Sequence, residues 1–445
     1  MSSRRHFLRT ASSAGLMAVA AFRDDGLARL ASAAAATGRA TPEETAGNED
    51  FWREVQQAFT LDRTLINLNN GGVCPSPRTV LEAQKRFLDI SNQAPVHFMW
   101  RVLEPGVESV RTQLAGLLGC DREEVAITRN ASESLQICQL GIDLQRGDEV
   151  VTTTHDYPRM LDTWEQRVRR EGITLTRVPF PVPPKQSELV SLVERAITPR
   201  TKVVHLCHVT NLSGHIFPVR EICDLARARG IRTIVDGAHA FAHFPFRIAD
   251  LGCDYYGVSL HKWLLAPVGT GLLWMRRDLI KDTWPLQPAG VKLTEDIRKF
   301  EEIGTHPAAT HNAIAEAVAF HQTIGTERKL ARLRYLRDRW VNRLTALPNV
   351  RMNTDLSPAV SCGLANARVL GVDSGRLGEH LWDRHRIIVV PIKHAPPANA
   401  WRAPEHRDTD FAWEGIRVTP NVYTMLEEVD RFADAVEAVA RKGAP

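Results

Sequence analysis

Between residues 105 and 325 the chain alternates short, almost uninterrupted apolar runs with longer amphipathic stretches. The runs at 125–128, 149–154, 174–178, 202–209, 232–235, 255–259 and 270–275 have the length and composition of strands. Stretches between them, such as 107–118 and 219–228, space their apolar residues as helices do. Strands apolar on both faces and separated by helices predict a mostly parallel sheet buried between helical layers. The expected fold class is α/β.

After about residue 330 the pattern changes. It predicts a helix over 329–347, strands near 350–353 and 367–371, a helix over 374–384, strands over 386–392 and 415–418, and a closing helix over 426–441. In the last helix Val429, Phe432, Ala433, Val436 and Val439 share one face. We read a small α+β domain over 329–445, following a large domain over 61–328. A chain of 445 residues is long enough for both.

Upstream, residues 1–35 read as an export signal and 36–60 as a linker and N-terminal segment. Ser3-Arg4-Arg5-His6-Phe7-Leu8-Arg9 matches the twin-arginine pattern, and a weakly apolar stretch from Ala11 to Phe22 follows. Ala31-Ser32-Ala33 then offers small residues to a signal peptidase. The expectation is a periplasmic or otherwise exported protein, carried by the machinery that moves folded chains.

Bulk charge excludes little. The net charge of +4 comes from scattered residues, which leaves no footprint for nucleic acid. No apolar run reaches the ~20 residues of a membrane-spanning helix. The seven cysteines show neither paired nor metal-like spacing and read as buried thiols, so no metal site is expected. No G-x-G-x-x-G follows an early strand, which weakens a dinucleotide-binding reading.

The informative segment runs from Ile234 to Lys262. One apolar run ends in Asp236, His239 follows about a helical turn later, and a second run, YYGVSL, ends in His261-Lys262. Two strands ending in a carboxylate and a lysine place both groups at one sheet edge. That pairing suits pyridoxal 5'-phosphate (PLP), which needs a covalent amine and an anionic partner for its ring nitrogen. Asn211, at the end of another run, and His239 could bond the ring oxygen. Thr128-Arg129-Asn130-Ala131-Ser132 turns a strand into a helix through small polar residues, as a phosphate cradle requires. His155-Asp156-Tyr157 offers an aromatic face, for which Tyr157 is preferred over His155. Arg417 is placed to clamp a substrate carboxylate.

Together these residues resemble the class V aminotransferase group of fold-type I PLP enzymes, which includes cysteine desulfurases, kynureninases and isopenicillin N epimerase-like proteins. The resemblance covers about residues 60 to 440 and is strongest over VDGAHAFAHFPFRIADLGCDYYGVSLHKWLLAPVGTGLL. It implies that Lys262 carries the cofactor as an aldimine, that Asp236 faces the pyridine nitrogen, and that His239 and Asn211 face the ring oxygen. Ala131, Ser132, Ser259 and His261 would surround the phosphate. Thr305, in Phe300-Glu301-Glu302-Ile303-Gly304-Thr305, is similar to an element that reaches the phosphate across a dimer interface, so a homodimer with shared sites is implied.

The Asn69-Asn70-Gly71-Gly72 turn is similar to the isopenicillin N epimerase-like branch, with Asn70 expected at the substrate. Substrate contacts are expected from 69–74, 97–101 and 393–402. The loop Ile392-Lys393-His394-Ala395-Pro396-Pro397 lacks the persulfide-forming cysteine of desulfurases, which argues against desulfuration. The reading is an exported homodimeric PLP enzyme acting at the α-carbon of an amino acid or peptidyl amino-acid group, epimerase- or aminotransferase-like. A PLP-dependent lyase and a periplasmic siderophore (pyoverdine-type) maturation enzyme are the alternatives. A non-enzymatic binding protein on a degenerate PLP fold fits poorly with Lys262, Asp236 and Arg417 all in place.

Overall fold

The computed structural model describes residues 25–442, so the twin-arginine motif lies outside the described residues. In chain order the strands are β1 (Ile66–Asn67), β2 (Val125–Thr128), β3 (Glu149–Thr153), β4 (Thr174–Val178), β5 (Thr201–Cys207), β6 (Arg232–Asp236) and β7 (Tyr255–Ser259). They continue with β8 (Gly271–Met275), β9 (Val350–Met352), β10 (Ala365–Val369), β11 (Ile387–Ile388), β12 (Val390–His394) and β13 (Trp413–Val418).

The large sheet has the order β2-β8-β7-β6-β5-β3-β4. Strands β4, β3, β5, β6 and β7 pair in parallel, and β8 runs antiparallel to both its neighbours. The period-2 alternation of the strands sends successive apolar side chains to opposite faces. Ile127, Val151, Val204, Val235 and Tyr256 pack with helices Glu104–Leu118, Gln186–Ala196 and Val219–Arg227. Ala126, Val150, Val203, Ile234 and Tyr255 pack on the other side with helices Ala131–Gly141 and Pro158–Glu171. A sheet covered on both faces explains the near-continuous apolar runs. The parallel strands all end at one edge, so the residues after Thr153, Cys207, Asp236 and Ser259 border a common crevice.

The small domain is an antiparallel sheet, β12-β13-β10-β9, backed by helices Thr326–Thr345, Ser374–His385 and Leu426–Lys442. The strand expected over 386–392 is split at Val389 into β11 and β12, because the chain changes partner there from β1 to β13, and Pro391 is tolerated because β12 is an edge strand. Strand β11 pairs in parallel with β1, through Ile66↔Ile387. The chain entering the large domain is thereby fastened to the small one.

The stretch 36–60, expected as a linker and N-terminal segment, carries helices that pack on the body. Helices Asp25–Ala36, Pro42–Ala46 and Glu49–Gln57 fold back on the body, and Leu30 and Trp52 are buried with Phe320 and Val422. Arg332, fully buried, donates to the Ala46 carbonyl at 2.9 Å and pairs with Glu49. The six cysteines other than Cys120 are buried, and all seven are free thiols.

Candidate active site

A cavity of about 430 Å³ opens at the carboxyl edge of the large sheet. One of its charged groups is Asp236, the buried last residue of β6, whose Oδ1 accepts the Ala238 N–H at 2.9 Å. Gly237 follows because a Cβ there would stand 2.1 Å from the Tyr256 ring. Burial raises the Asp236 carboxyl to about 6, against the pull of Lys262 and the Ala238 N–H.

Strand β7 delivers Lys262 beside it. Burial pushes its amine down to about 8 and Arg417 adds to that, while Asp236 pushes it back up. The Nζ lies 3.2 Å from His239 Nε2. His239 is held neutral, first by burial and then by the Lys262 charge. Two bonds fix the lysine's backbone. The His261 carbonyl accepts from the Cys74 N–H at 3.1 Å, and the Trp263 carbonyl accepts from the buried Lys329 ammonium.

The helix Ala131–Gly141 points its N-terminus at the same cavity. Asn130 caps it by accepting the Glu133 N–H at 2.9 Å, and Ser259 Oγ accepts the Ala131 N–H at 3.0 Å. Ser132 and His261 complete this end. Opposite, Arg417 on β13 donates to the Asn211 carbonyl at 2.9 Å and to Asn69 Oδ1 at 2.8 Å. Burial lowers its guanidinium to about 10.

The structure thus brings Ala131, Ser132, Tyr157, Asn211, Asp236, His239, Ser259, His261, Lys262 and Arg417 to one cavity wall. Two expected residues are elsewhere. Asn70 does not line the cavity: it is fully buried, donates to the Asn67 and Thr419 carbonyls, and accepts from the Tyr423 hydroxyl. Asn69 takes the position toward Arg417, with Gly71 and Gly72 forming the wall. Thr305 is exposed on a turn outside the cavity of its own chain. Of the loops expected at the substrate, only 71–73 reach the cavity, whereas 97–101 and 393–402 do not. His155 turns away from it, packing its ring with centroids 3.9 Å from Phe180 in a tilted contact and 4.3 Å from His394 edge-on. Arg159 and Cys207 line the cavity without having been singled out.

The sequence from 66 to 432 matches the aminotransferase class-V family. The chain belongs to that family. Isopenicillin N epimerase of Streptomyces clavuligerus is 30% identical over 87% of this chain and 98% of its own length. A probable cysteine desulfurase of Aeropyrum pernix is 28% identical over 87% of this chain and 97% of that relative. Among solved structures, a variant of C-DES with glycine covalently linked to its PLP cofactor superposes with a TM-score of 0.69 at 22% identity, covering 84% of this chain and 98% of that one. The fold is the fold-type I α/β architecture of this family. The missing loop cysteine does not set the chain apart from desulfurases, because such enzymes stand among its class-V relatives. That expectation is withdrawn.

The donor set also fits the family's cofactor. Asn211 Oδ1, His239 Nδ1, His261 Nδ1 and Arg417 Nε are buried at this cavity with no hydrogen-bond partner in the protein. A carboxylate held so far from water needs a cationic neighbour, which a protonated ring nitrogen provides.

Proposed function

We propose that this class-V protein uses PLP to act at the α-carbon of an amino acid or a peptidyl amino-acid group, with epimerisation the leading reaction. The observation that carries the reading is the meeting of Asp236, Lys262 and Arg417 in one buried cavity. Likeness to an epimerase over nearly the whole chain favours inversion over transamination.

Lys262, held near 8 rather than 10.5, is neutral for a substantial fraction of the time at mildly alkaline pH and is available as nucleophile and base. Asp236 would hold the ring nitrogen protonated. Ala131, Ser132, Ser259 and His261 would bind the phosphate at the helix N-terminus. His239 and Asn211 would fix the ring oxygen, and the Tyr157 ring would cover one face. Bound there, PLP supplies an aldehyde for amines and a sink for the electrons left at the α-carbon. Arg417 holds the carboxylate, which sets the orientation of the α C–H bond toward Lys262.

The proposal includes a homodimer in which the partner subunit's Thr305 completes the phosphate site. It also includes export directed by Arg4 and Arg5, so that an Arg4→Lys, Arg5→Lys double variant would stay in the cytoplasm. Carbon–sulfur bond cleavage is the second reading, favoured by the desulfurase likeness. The test is exchange of α-hydrogen into deuterated water across a panel of amino acids and isopenicillin N. Exchange with inversion supports the first reading. Sulfide or persulfide release from cysteine without inversion supports the second, and no exchange and no release would remove both.

A further inference from the structure

Inversion at carbon requires a proton taken from one face and a proton delivered to the other. Lys262 supplies one wall of the cavity. We propose that the Tyr157 hydroxyl is the second acid–base group, exchanging a proton with the α-carbon on the face opposite Lys262. The inference rests on the α-carbon reading above and names the residue that would make it an epimerase.

The strand order places the two groups on opposite flanks. Lys262 follows β7 and Tyr157 follows β3, with β6 and β5 between them. Neighbouring strands are about 4.8 Å apart, so the strand ends are separated by roughly 14 Å, and both side chains converge on the intervening cavity. Asp236, at the end of β6, comes between them in the strand order and lines the same cavity.

Tyr157 lines the same cavity as the carboxylate clamp, Arg417. A carboxylate on Arg417 is one bond from its α-carbon, which keeps the reacting atom within the cavity that Tyr157 lines. The other proton-exchanging residues of the wall are committed elsewhere. Cys207 donates its thiol to Asp156 at 3.1 Å, and burial pushes it far above the usual range. His239 and His261 sit with Lys262 on its own flank. Ser259 accepts the Ala131 N–H at the phosphate end. Among the described residues lining the cavity, Tyr157 is the acid–base group left on the far side.

The step balances without an oxidant. The α C–H bond breaks, its proton goes to Lys262 Nζ, and its electron pair stays with the substrate. That pair then forms a new C–H bond with the Tyr157 hydroxyl proton on the opposite face. The lysine ammonium and the tyrosine oxyanion reset by exchange with water, which reaches Tyr157 because the side chain is 38% exposed. In the reverse direction the two residues trade roles.

The test uses the PLP-loaded protein in deuterated water with the L- and D-isomers of the common amino acids and with isopenicillin N, reading α-deuterium by mass spectrometry and configuration by chiral chromatography. Early in turnover the wild type should place deuterium in the inverted product while the remaining substrate keeps its α-hydrogen. Tyr157→Phe should keep the bound-cofactor absorbance and exchange with retention, yet lose inversion by about 100-fold or more. A Tyr157→Phe protein that inverts within a few-fold of wild type overturns the proposal. So does equal early deuteration of substrate and product in the wild type, a result that needs no variant. Wild-type exchange without any inversion removes Tyr157 alone, and absence of exchange removes the α-carbon reading itself.

Discussion

Asp236→Asn should stabilise the cofactor-free protein while ruining its hold on PLP. Burial lifts the Asp236 carboxyl from 3.8 to about 6, so ionising it costs more in the folded chain than in the unfolded one. At about 1.4 kcal/mol per pH unit, that difference makes the charged side chain cost about 3 kcal/mol of stability. The sign follows from the raised value. The contribution is fully present below pH 3.8 and is lost as pH climbs through about 6. Asparagine keeps the size and the bond from the Ala238 N–H but carries no charge to desolvate. Losing the carboxylate also drops Lys262 further, which returns part of the gain and leaves about 2 kcal/mol. Urea unfolding of the cofactor-free wild type and variant, at about pH 7.5 and about pH 4, measures both numbers. The gain should be about 2 kcal/mol at the higher pH and under about 1 kcal/mol at the lower. A variant no more stable at the higher pH, or one with the same gain at both, would refute the argument that Asp236 is a desolvated anion awaiting a cation.

Arg417→Gln should raise KM by about 10- to 100-fold while changing kcat less, because a charge-assisted clamp is worth about 1.5–3 kcal/mol to a bound carboxylate. Steady-state kinetics on any substrate found in the exchange panel decide it, and a loss confined to kcat would contradict the assignment. Relative to a chain beginning at residue 25, one beginning at residue 48 should be less stable by about 3 kcal/mol or more. The second truncation strips Leu30 from its cluster and the Ala46 carbonyl from the fully buried Arg332. Equal melting temperatures for the two truncations would show that the N-terminal helices do not belong to the body.

The strands of the large sheet were legible because a strand buried on both faces must be apolar throughout, as Val125–Thr128 and Tyr255–Ser259 are. The Asp236–Lys262 pair was legible for a related reason: a charge ending such a run is placed at the sheet edge by the run itself. Turns carry no such constraint. Nothing in Asn69-Asn70-Gly71-Gly72 tells which asparagine faces inward, and a one-residue difference in direction put Asn69 on Arg417 and buried Asn70 against Thr419. The helices over 25–46 were missed because Ala-, Thr- and Glu-rich segments look like linker. Their partners are distant, Arg332 lying 286 residues from Ala46. Arg159 lies in the first turn of the helix Pro158–Glu171, and its place on the cavity wall follows only from the position of β3 beside β5.

The most direct test of the central claim is to load the protein with PLP, reduce it with borohydride, digest it and locate the phosphopyridoxyl group by mass spectrometry. Buried lysine alone does not decide the outcome, since Lys329 is more deeply buried than Lys262 and its amine is pushed down further, to about 7. What distinguishes Lys262 is its place at the cavity with Asp236 and Arg417. The label should appear on the peptide carrying Lys262 and vanish in Lys262→Ala. A label on Lys329 or any other lysine, or none at all, would contradict the account.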